Sequence, residues 1–131
     1  MLQITNAQMQ AFSADRLERT IARLKCRLQS TFPNELKRWR IQPEAVEPLV
    51  REGVARALQY GVQLERDVEF FVDCMLIFHP NFDDDDRTPW AGETLRNEEL
   101  DGTQKMDRIH DHWVFDSGNR GVTTGEETQS N

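Results

Sequence analysis

The chain has 131 residues, of which 37% are hydrophobic and 30% charged, so it has enough apolar material for one domain with a core and too little for two. Its net charge of −7 argues against a general affinity for nucleic acid. The first residues lack a basic region followed by an apolar core, and no apolar run approaches the roughly 20 residues that cross a bilayer. We therefore expect neither a signal peptide nor a membrane partner.

The charge is unevenly distributed along the chain. Residues 1–40 carry eight Lys or Arg against three Asp or Glu, a net charge of +5. Residues 41–78 carry three against seven, net −4, and residues 79–131 carry five against thirteen, net −8. This polarity indicates either a basic face for a partner or internal pairing of the two ends, and pairing is the simpler interpretation.

Two helices are predicted in the first forty residues. Thr5 and Gln8 fit a capping box, so one helix should begin near Asn6. Ser13 could recap or kink this helix before a longer helix that runs through Phe32 and is ended by Pro33. That longer helix has one apolar stripe at helical spacing, formed by Leu17, Ile21, Leu24, Leu28 and Phe32.

Arginines follow the opposite side of this long helix at the same spacing. Such a stripe could contact nucleic acid or an acidic partner. We favour an ordinary solvated face, because a helix with one apolar stripe places its charges opposite and the whole chain is acidic. The four residues are Arg16, Arg19, Arg23 and Arg27.

A second long helix should begin at Pro43 and end near Tyr60-Gly61, since proline suits a first turn and glycine a helix end. Gly53 lies inside it and predicts a close crossing by another helix. The densest apolar run, residues 68–78, follows after Gln63, a weak cap, and should form the central helix.

The remaining chain predicts shorter elements. His79-Pro80 ends the central helix, Thr88-Pro89 begins a helix that runs to about Glu99, and Thr103 caps a last helix. From residue 116 only one large apolar residue remains, which is typical of disorder. We predict an all-α bundle of four to six helices around a central apolar helix, with one domain at residues 1–115 and a disordered tail at 116–131.

Few residues indicate catalytic or metal chemistry. The aspartate run at 83–86 lacks the glycine and glutamate of a calcium-binding helix-loop-helix loop. His110 and His112 are two residues apart, so they point to different sides of a helix. There is no phosphate-binding glycine loop and no nucleophile motif. Cys26 and Cys74 are too few for a disulfide framework. We expect no enzymatic activity, no metal, no cofactor, reduced thiols and a cytoplasmic location.

The aspartate loop is the candidate binding site. It combines carboxylates that cannot all be neutralised locally with aromatic residues of the kind enriched at interfaces. The alternative is that the aromatics fasten the loop to the core and the aspartates are solvated. The predicted protein-binding residues are Phe82, Asp83, Asp84, Asp85, Asp86 and Trp90.

Four sets of short segments follow one another along residues 3–95. They are Ile4-Thr5 with Gln8-Met9 and Phe12, Arg56-Ala57 with Tyr60-Gly61, Glu65 with Asp67-Val68, and Asn81-Phe82-Asp83 with Pro89-Trp90-Ala91. In this order they resemble small, poorly characterised bacterial proteins associated with type VI secretion gene clusters. Two places depart from that pattern: His79-Pro80-Asn81 stands where Gly-Pro is expected, and Gln63 where Thr or Ser is expected.

The resemblance implies an accessory role, as an adaptor or co-chaperone that binds a type VI effector or its loading protein. The alternative is a cognate immunity protein, whose acidic surface would cover a basic toxin. A metal-dependent enzyme built on the aspartates and histidines is a third hypothesis with less support. The adaptor and the immunity protein would each have another protein as partner.

Overall fold

The computed structural model describes residues 13–123, and within them the chain forms helices and no strand. A single 3-10 turn, Phe82–Asp84, lies between the fourth and fifth α-helices. The six α-helices confirm the predicted all-α bundle. They are α1 Ala14–Thr31, α2 Pro33–Arg38, α3 Pro43–Gln59, α4 Glu65–Ile77, α5 Pro89–Leu95 and α6 Gly102–Thr123.

The helix α4 is the centre of the bundle, as its apolar run predicted. It contacts α1, α2, α3 and α6, and Phe71 and Met75 on it are fully buried. Phe78, just past its end, is only partly buried. The Phe78 ring packs against those of Phe82 and Trp90, at centroid distances of 6.0 and 5.1 Å.

Three helix ends can be compared with the capping residues that the sequence predicted. The Ser13 hydroxyl accepts a hydrogen bond from the backbone N–H of Arg16 at 3.2 Å, so the predicted cap is present. Gly61 has a φ of 83°, the left-handed conformation expected after α3. The cap position of α4 is occupied by Leu64 without a side-chain hydrogen bond, and not by Gln63 as predicted.

The helices α3 and α4 cross closely at Gly53. A Cβ atom at this position would lie 2.6 Å from the Sδ of Met75 and 3.1 Å from a methyl group of Val72. The predicted close crossing is therefore confirmed, and it explains why a glycine stands inside a long helix despite its low helix propensity.

The last helix begins and ends differently from the prediction. Asp101, rather than Thr103, forms the cap: its carboxylate accepts from the backbone N–H of Gln104 at 2.8 Å, and the Gln104 side chain accepts from the Asp101 N–H at 2.9 Å. The Thr103 hydroxyl instead donates to the Asp67 carboxylate at 2.7 Å. The helix continues to Thr123, past residue 116 where a tail was expected.

Two predictions lie outside the described residues, namely the helix near Asn6 and the part of the tail from residue 124 onward. Within residues 13–123, no helix combines the length and the apolar character that a membrane crossing requires.

Candidate functional site

The connection between α4 and α5, which we call the aspartate loop, is fastened at its start by Phe82. This side chain is fully buried. Its ring lies 5.0 Å from that of Phe71 on α4, between centroids. Phe82 therefore belongs to the core and offers no surface to a partner, although it was among the predicted binding residues.

Asp83 fixes the loop to α3 through an internal ion pair. Its side chain is 6% exposed and accepts hydrogen bonds from the guanidinium of Arg56 and, at 2.8 Å, from the hydroxyl of Tyr60. Arg56 also donates to the carbonyl oxygen of Pro80 at 3.1 Å, and Arg96 donates to the carbonyl oxygen of Asp83 at 3.3 Å. A buried carboxylate with this many donors positions the backbone around it.

The sequence did not single out Arg56 and Tyr60 as partners of the loop. Glu52, Arg56 and Tyr60 recur at intervals of four residues, which places them on one face of α3. Arg56 is also paired with Glu52, at 3.2 Å. The spacing of these three polar residues was the available signal in the sequence, but only the fold shows that Asp83 contacts two of them.

His79 and Thr88 close the base of the loop. The Thr88 hydroxyl donates to the Phe82 carbonyl oxygen at 2.7 Å, and it lies 3.1 Å from Nε2 of His79. Because the hydroxyl proton is already used, Nε2 must carry the proton and donate to Thr88. Burial lowers the pKa of His79 despite the nearby Asp85 carboxylate, so the ring is neutral in this contact.

Asp85 is tied within the loop by Arg87. Its carboxylate accepts from the backbone N–H of Arg87 at 2.8 Å and from the guanidinium at 3.1 Å. These hydrogen bonds lower the pKa of Asp85 to about 2. Asp85 therefore carries its charge through the physiological range, but that charge is largely balanced by Arg87.

Asp84 and Asp86 are the outward-facing members of the run. Both are exposed, and neither has a basic side-chain nitrogen within 4.0 Å among the side chains of residues 13–115. A cleft of about 420 Å³ lies beside Asp84, and Glu52, Arg56, Gln59 and Asn81 are among its other lining residues. The predicted site thus separates into a buried anchor and a small acidic surface.

Trp90, the last of the predicted binding residues, is partly buried in the first turn of α5. Its ring stacks on that of His112 of α6, with centroids 3.7 Å apart and planes inclined by 18°. It also meets Phe78 edge-on. Trp90 therefore joins α5 to α6 and to the end of α4, and only part of its ring is open to contact.

The histidines are dispersed across the molecule. His79 lies at the base of the loop, His112 stacks on Trp90, and His110 packs edge-on against Phe70. In the part of the chain that the structure describes, no three His, Cys, Asp or Glu side chains come close enough to hold a metal ion.

The two cysteines are free, as predicted: Cys26 is exposed and Cys74 is buried. Burial raises the pKa of the Cys74 thiol well above its ordinary value. That shift disfavours the thiolate form, which is the reactive one.

The arginines of α1 pair with α4 rather than with the aspartate loop. Arg16 and Arg23 contact Glu65 at 3.1 and 2.8 Å, and Arg27 contacts Asp73 at 2.8 Å. Internal pairing of the basic first third is therefore present, and among the side chains of residues 13–115 its acidic partners lie in the middle third of the chain.

Comparison of the chain with models of protein families, with curated proteins and with solved structures found no match. The resemblance to proteins of type VI secretion clusters stays a prediction.

Proposed function

We propose that the protein is a non-catalytic adaptor that binds another protein through the exposed carboxylates of the aspartate loop. One observation carries the proposal: Asp84 and Asp86 point outward from a loop whose neighbouring residue Asp83 is held rigidly to α3. Recognition residues are commonly presented on loops that a rigid scaffold positions. Charges fixed in this way attract a basic partner and repel an acidic one.

The chemistry of the adjacent cleft favours a partner segment rich in lysine or arginine. Arg56 also lines the cleft, but its guanidinium already contacts Glu52 and Asp83. Asp84 contributes an unpaired carboxylate to the cleft, and Gln59 and Asn81 contribute amide oxygens. Both kinds of group accept hydrogen bonds from guanidinium and ammonium groups, and bonds between ionised groups are the stronger ones. Lysine and arginine side chains of a partner would thus find several acceptors in one place.

The resemblance noted in the sequence makes a type VI effector, or its loading protein, the first partner to test. The same acidic surface supports a second candidate, an immunity protein that covers a basic toxin. The net charge of −7 suits that role as well. The two roles separate in cells, because loss of an immunity protein makes the neighbouring effector toxic to its producer, whereas loss of an adaptor only prevents delivery.

The binding surface is tested with a double variant, Asp84→Asn with Asp86→Asn. Neither side chain is paired within the described residues, so the melting temperature should change little. Affinity for the effector or loading protein encoded beside the gene, measured by biolayer interferometry, should fall roughly fivefold at low salt and less at high salt, where charges are screened.

The matched control is Asp107→Asn with Asp111→Asn, which removes the same charge from exposed positions of α6. The control should bind as the unmodified protein does. Equal affinities of the loop variant and the control would place the binding surface elsewhere.

A further inference from the structure

A second groove lies at the opposite end of α3 from the aspartate loop. It has a volume of about 530 Å³ and is formed by the last turns of α1, by α2 and by the first turn of α3. Its apolar lining includes Leu36, Ile41, Pro43 and Val46. Ile41 and Pro43 retain solvent exposure, so apolar surface is open here.

Basic residues without partners surround this groove. Lys37 and Arg40 line it, and Arg38 is adjacent in sequence. All three are exposed, and among the side chains of residues 13–115 none has a carboxylate oxygen within 4.0 Å. The contrast with the arginines of α1, most of which are paired with α4, makes this a region where positive charge is left over in an acidic chain.

The backbone conformation of Arg40 is the second observation. Its φ is 57°, and it is the one non-glycine residue of the described chain with a positive φ. It follows the end of α2, where its N–H donates to the Lys37 carbonyl at 3.0 Å and the Ile41 N–H donates to the Leu36 carbonyl at 2.9 Å. Glycine is strongly preferred at this position because it takes the left-handed conformation without strain.

An arginine at a position suited to glycine is therefore held at some expense of stability. What arginine adds over glycine is its side chain. That side chain lines the groove and has no ion-pair partner in the described residues.

The start of α3 adds to the positive field. Gln42 occupies its cap position and makes no side-chain hydrogen bond to the helix, and Pro43 is the first residue. Both residues line the groove. The positive end of the dipole of this 17-residue helix therefore lies there, and Glu44 in the first turn offsets part of it.

We propose that this groove binds an acidic amphipathic segment of a partner protein. Apolar side chains of the segment would cover Ile41 and Pro43, and its carboxylates would pair with Lys37 and Arg40. The charge complementarity selects this occupant. The inference is independent of the proposed function, since the groove and the aspartate loop lie at opposite ends of α3 and carry opposite charge.

The probe is a fluorescein-labelled synthetic peptide that alternates leucine and glutamate, compared with peptides that carry glutamine or lysine instead of glutamate. The glutamate peptide should bind most tightly by fluorescence anisotropy. The double variant Lys37→Glu with Arg40→Glu should weaken that binding roughly tenfold or more. The control double variant Arg19→Glu with Arg108→Glu changes two other exposed arginines and should bind normally.

Arg40→Gly is the more discriminating variant. It should raise the melting temperature, because it relieves the left-handed strain, and at the same time weaken binding of the glutamate peptide roughly fivefold. A merely structural residue would not change these two properties in opposite directions.

Three results would overturn the proposal. The first is equal affinity for the glutamate and glutamine peptides. The second is tighter binding of an oligothymidine than of the glutamate peptide, which would assign the basic residues to nucleic acid. The third is a concentration-dependent dimer that the Lys37 and Arg40 variants dissociate, which would assign the groove to a second copy of the chain.

Discussion

At the scale of single residues, the buried pair of Asp83 and Arg56 determines where the aspartate loop lies. Removing two charges from water is costly, and their attraction offsets that cost only when hydrogen bonds satisfy the remaining polar atoms. Tyr60 and the Pro80 carbonyl supply those bonds. The pair therefore contributes a fixed loop geometry more than net stability, and it leaves the neighbouring Asp84 on the outside.

The second residue with a measurable consequence is His79. Its pKa is lowered by burial, so the unfolded chain binds a proton at this position more readily than the folded protein does. Stability associated with a neutral His79 is fully present above the ordinary histidine pKa of about 6.5. It is lost as the pH falls from that value towards the lower pKa of the folded state.

We expect His79→Gln to flatten this pH dependence. The glutamine amide can still donate to Thr88 but does not titrate. Unfolding free energies from urea titrations between about pH 7 and pH 5 should fall more steeply for the unmodified protein than for the variant. His110→Gln, at an exposed position of α6, is the control. Identical slopes in the His79 variant and the unmodified protein would show that the buried ring is not responsible.

At the scale of elements, the packing of α3 on α4 depends on one missing methyl group. An alanine at Gly53 would favour the helix by about 1 kcal/mol through its propensity. Its Cβ would also meet Met75 Sδ at 2.6 Å and Val72 at 3.1 Å, and Met75 is fully buried. Overpacking a dense core typically costs about 1–3 kcal/mol.

We therefore predict that Gly53→Ala destabilises the protein by roughly 1 kcal/mol in urea denaturation, the overpacking outweighing the propensity. The informative control adds Met75→Val, which shortens the opposing side chain. In that background Gly53→Ala should become neutral or stabilising. A gain of stability from Gly53→Ala alone would mean that Met75 moves aside freely.

Features of the helices that depend on residues close together in the sequence could be predicted from the sequence. The Ser13 cap, the proline at the start of α3 and the tight crossing at Gly53 each depend on nearby residues or on one steric fact. The division of the aspartate run could not be predicted. Asp83 is buried because Arg56, 27 residues away, faces it in the folded bundle, and no pattern within four identical residues reveals which one that is.

At the scale of the whole molecule, the uneven charge of the sequence is resolved by the contact between α1 and α4. Arg16, Arg23 and Arg27 meet Glu65, Glu69 and Asp73 in a row of ion pairs along the two helices. Three of the eight basic residues of the first forty are thereby paired, whereas Lys37, Arg38 and Arg40 keep their charge without such a partner among the described side chains. Residues 79–115 carry ten Asp or Glu against four Lys or Arg, and the ion pairs between α1 and α4 leave this acidic surplus unchanged.

Arg27 and Asp73 form the most buried pair of this row, and burial affects the two side chains differently. The pKa of Asp73 is raised, because burial of its carboxylate outweighs the hydrogen bond from Arg27. The pKa of Arg27 is also raised, by that same hydrogen bond. The Asp73 side chain is 7% exposed against 36% for Arg27, so the carboxylate loses more of its hydration than the guanidinium does.

We therefore predict that replacing Arg27 lowers the free energy of unfolding more than removing the charge of Asp73 does. Arg27→Met leaves a buried carboxylate without its partner and should lower the unfolding free energy at pH 7 by about 1–3 kcal/mol. Asp73→Asn removes the charge that burial disfavours and should cost less than about 1 kcal/mol. Arg19→Met, at an exposed position of the same helix, should change stability by no more than about 0.5 kcal/mol.

The pH dependence of the Arg27→Met effect follows from the raised pKa of Asp73. A carboxyl group whose folded pKa lies above its unfolded value favours folding at low pH, and that contribution is lost as the pH rises through the folded pKa. Without Arg27 the folded pKa rises further, so the deficit of the variant should be largest at neutral pH. It should shrink in urea titrations towards about pH 4, where Asp73 is increasingly protonated. A deficit that is constant over this range would mean that Arg27 acts through its packing on α4 and not through its charge.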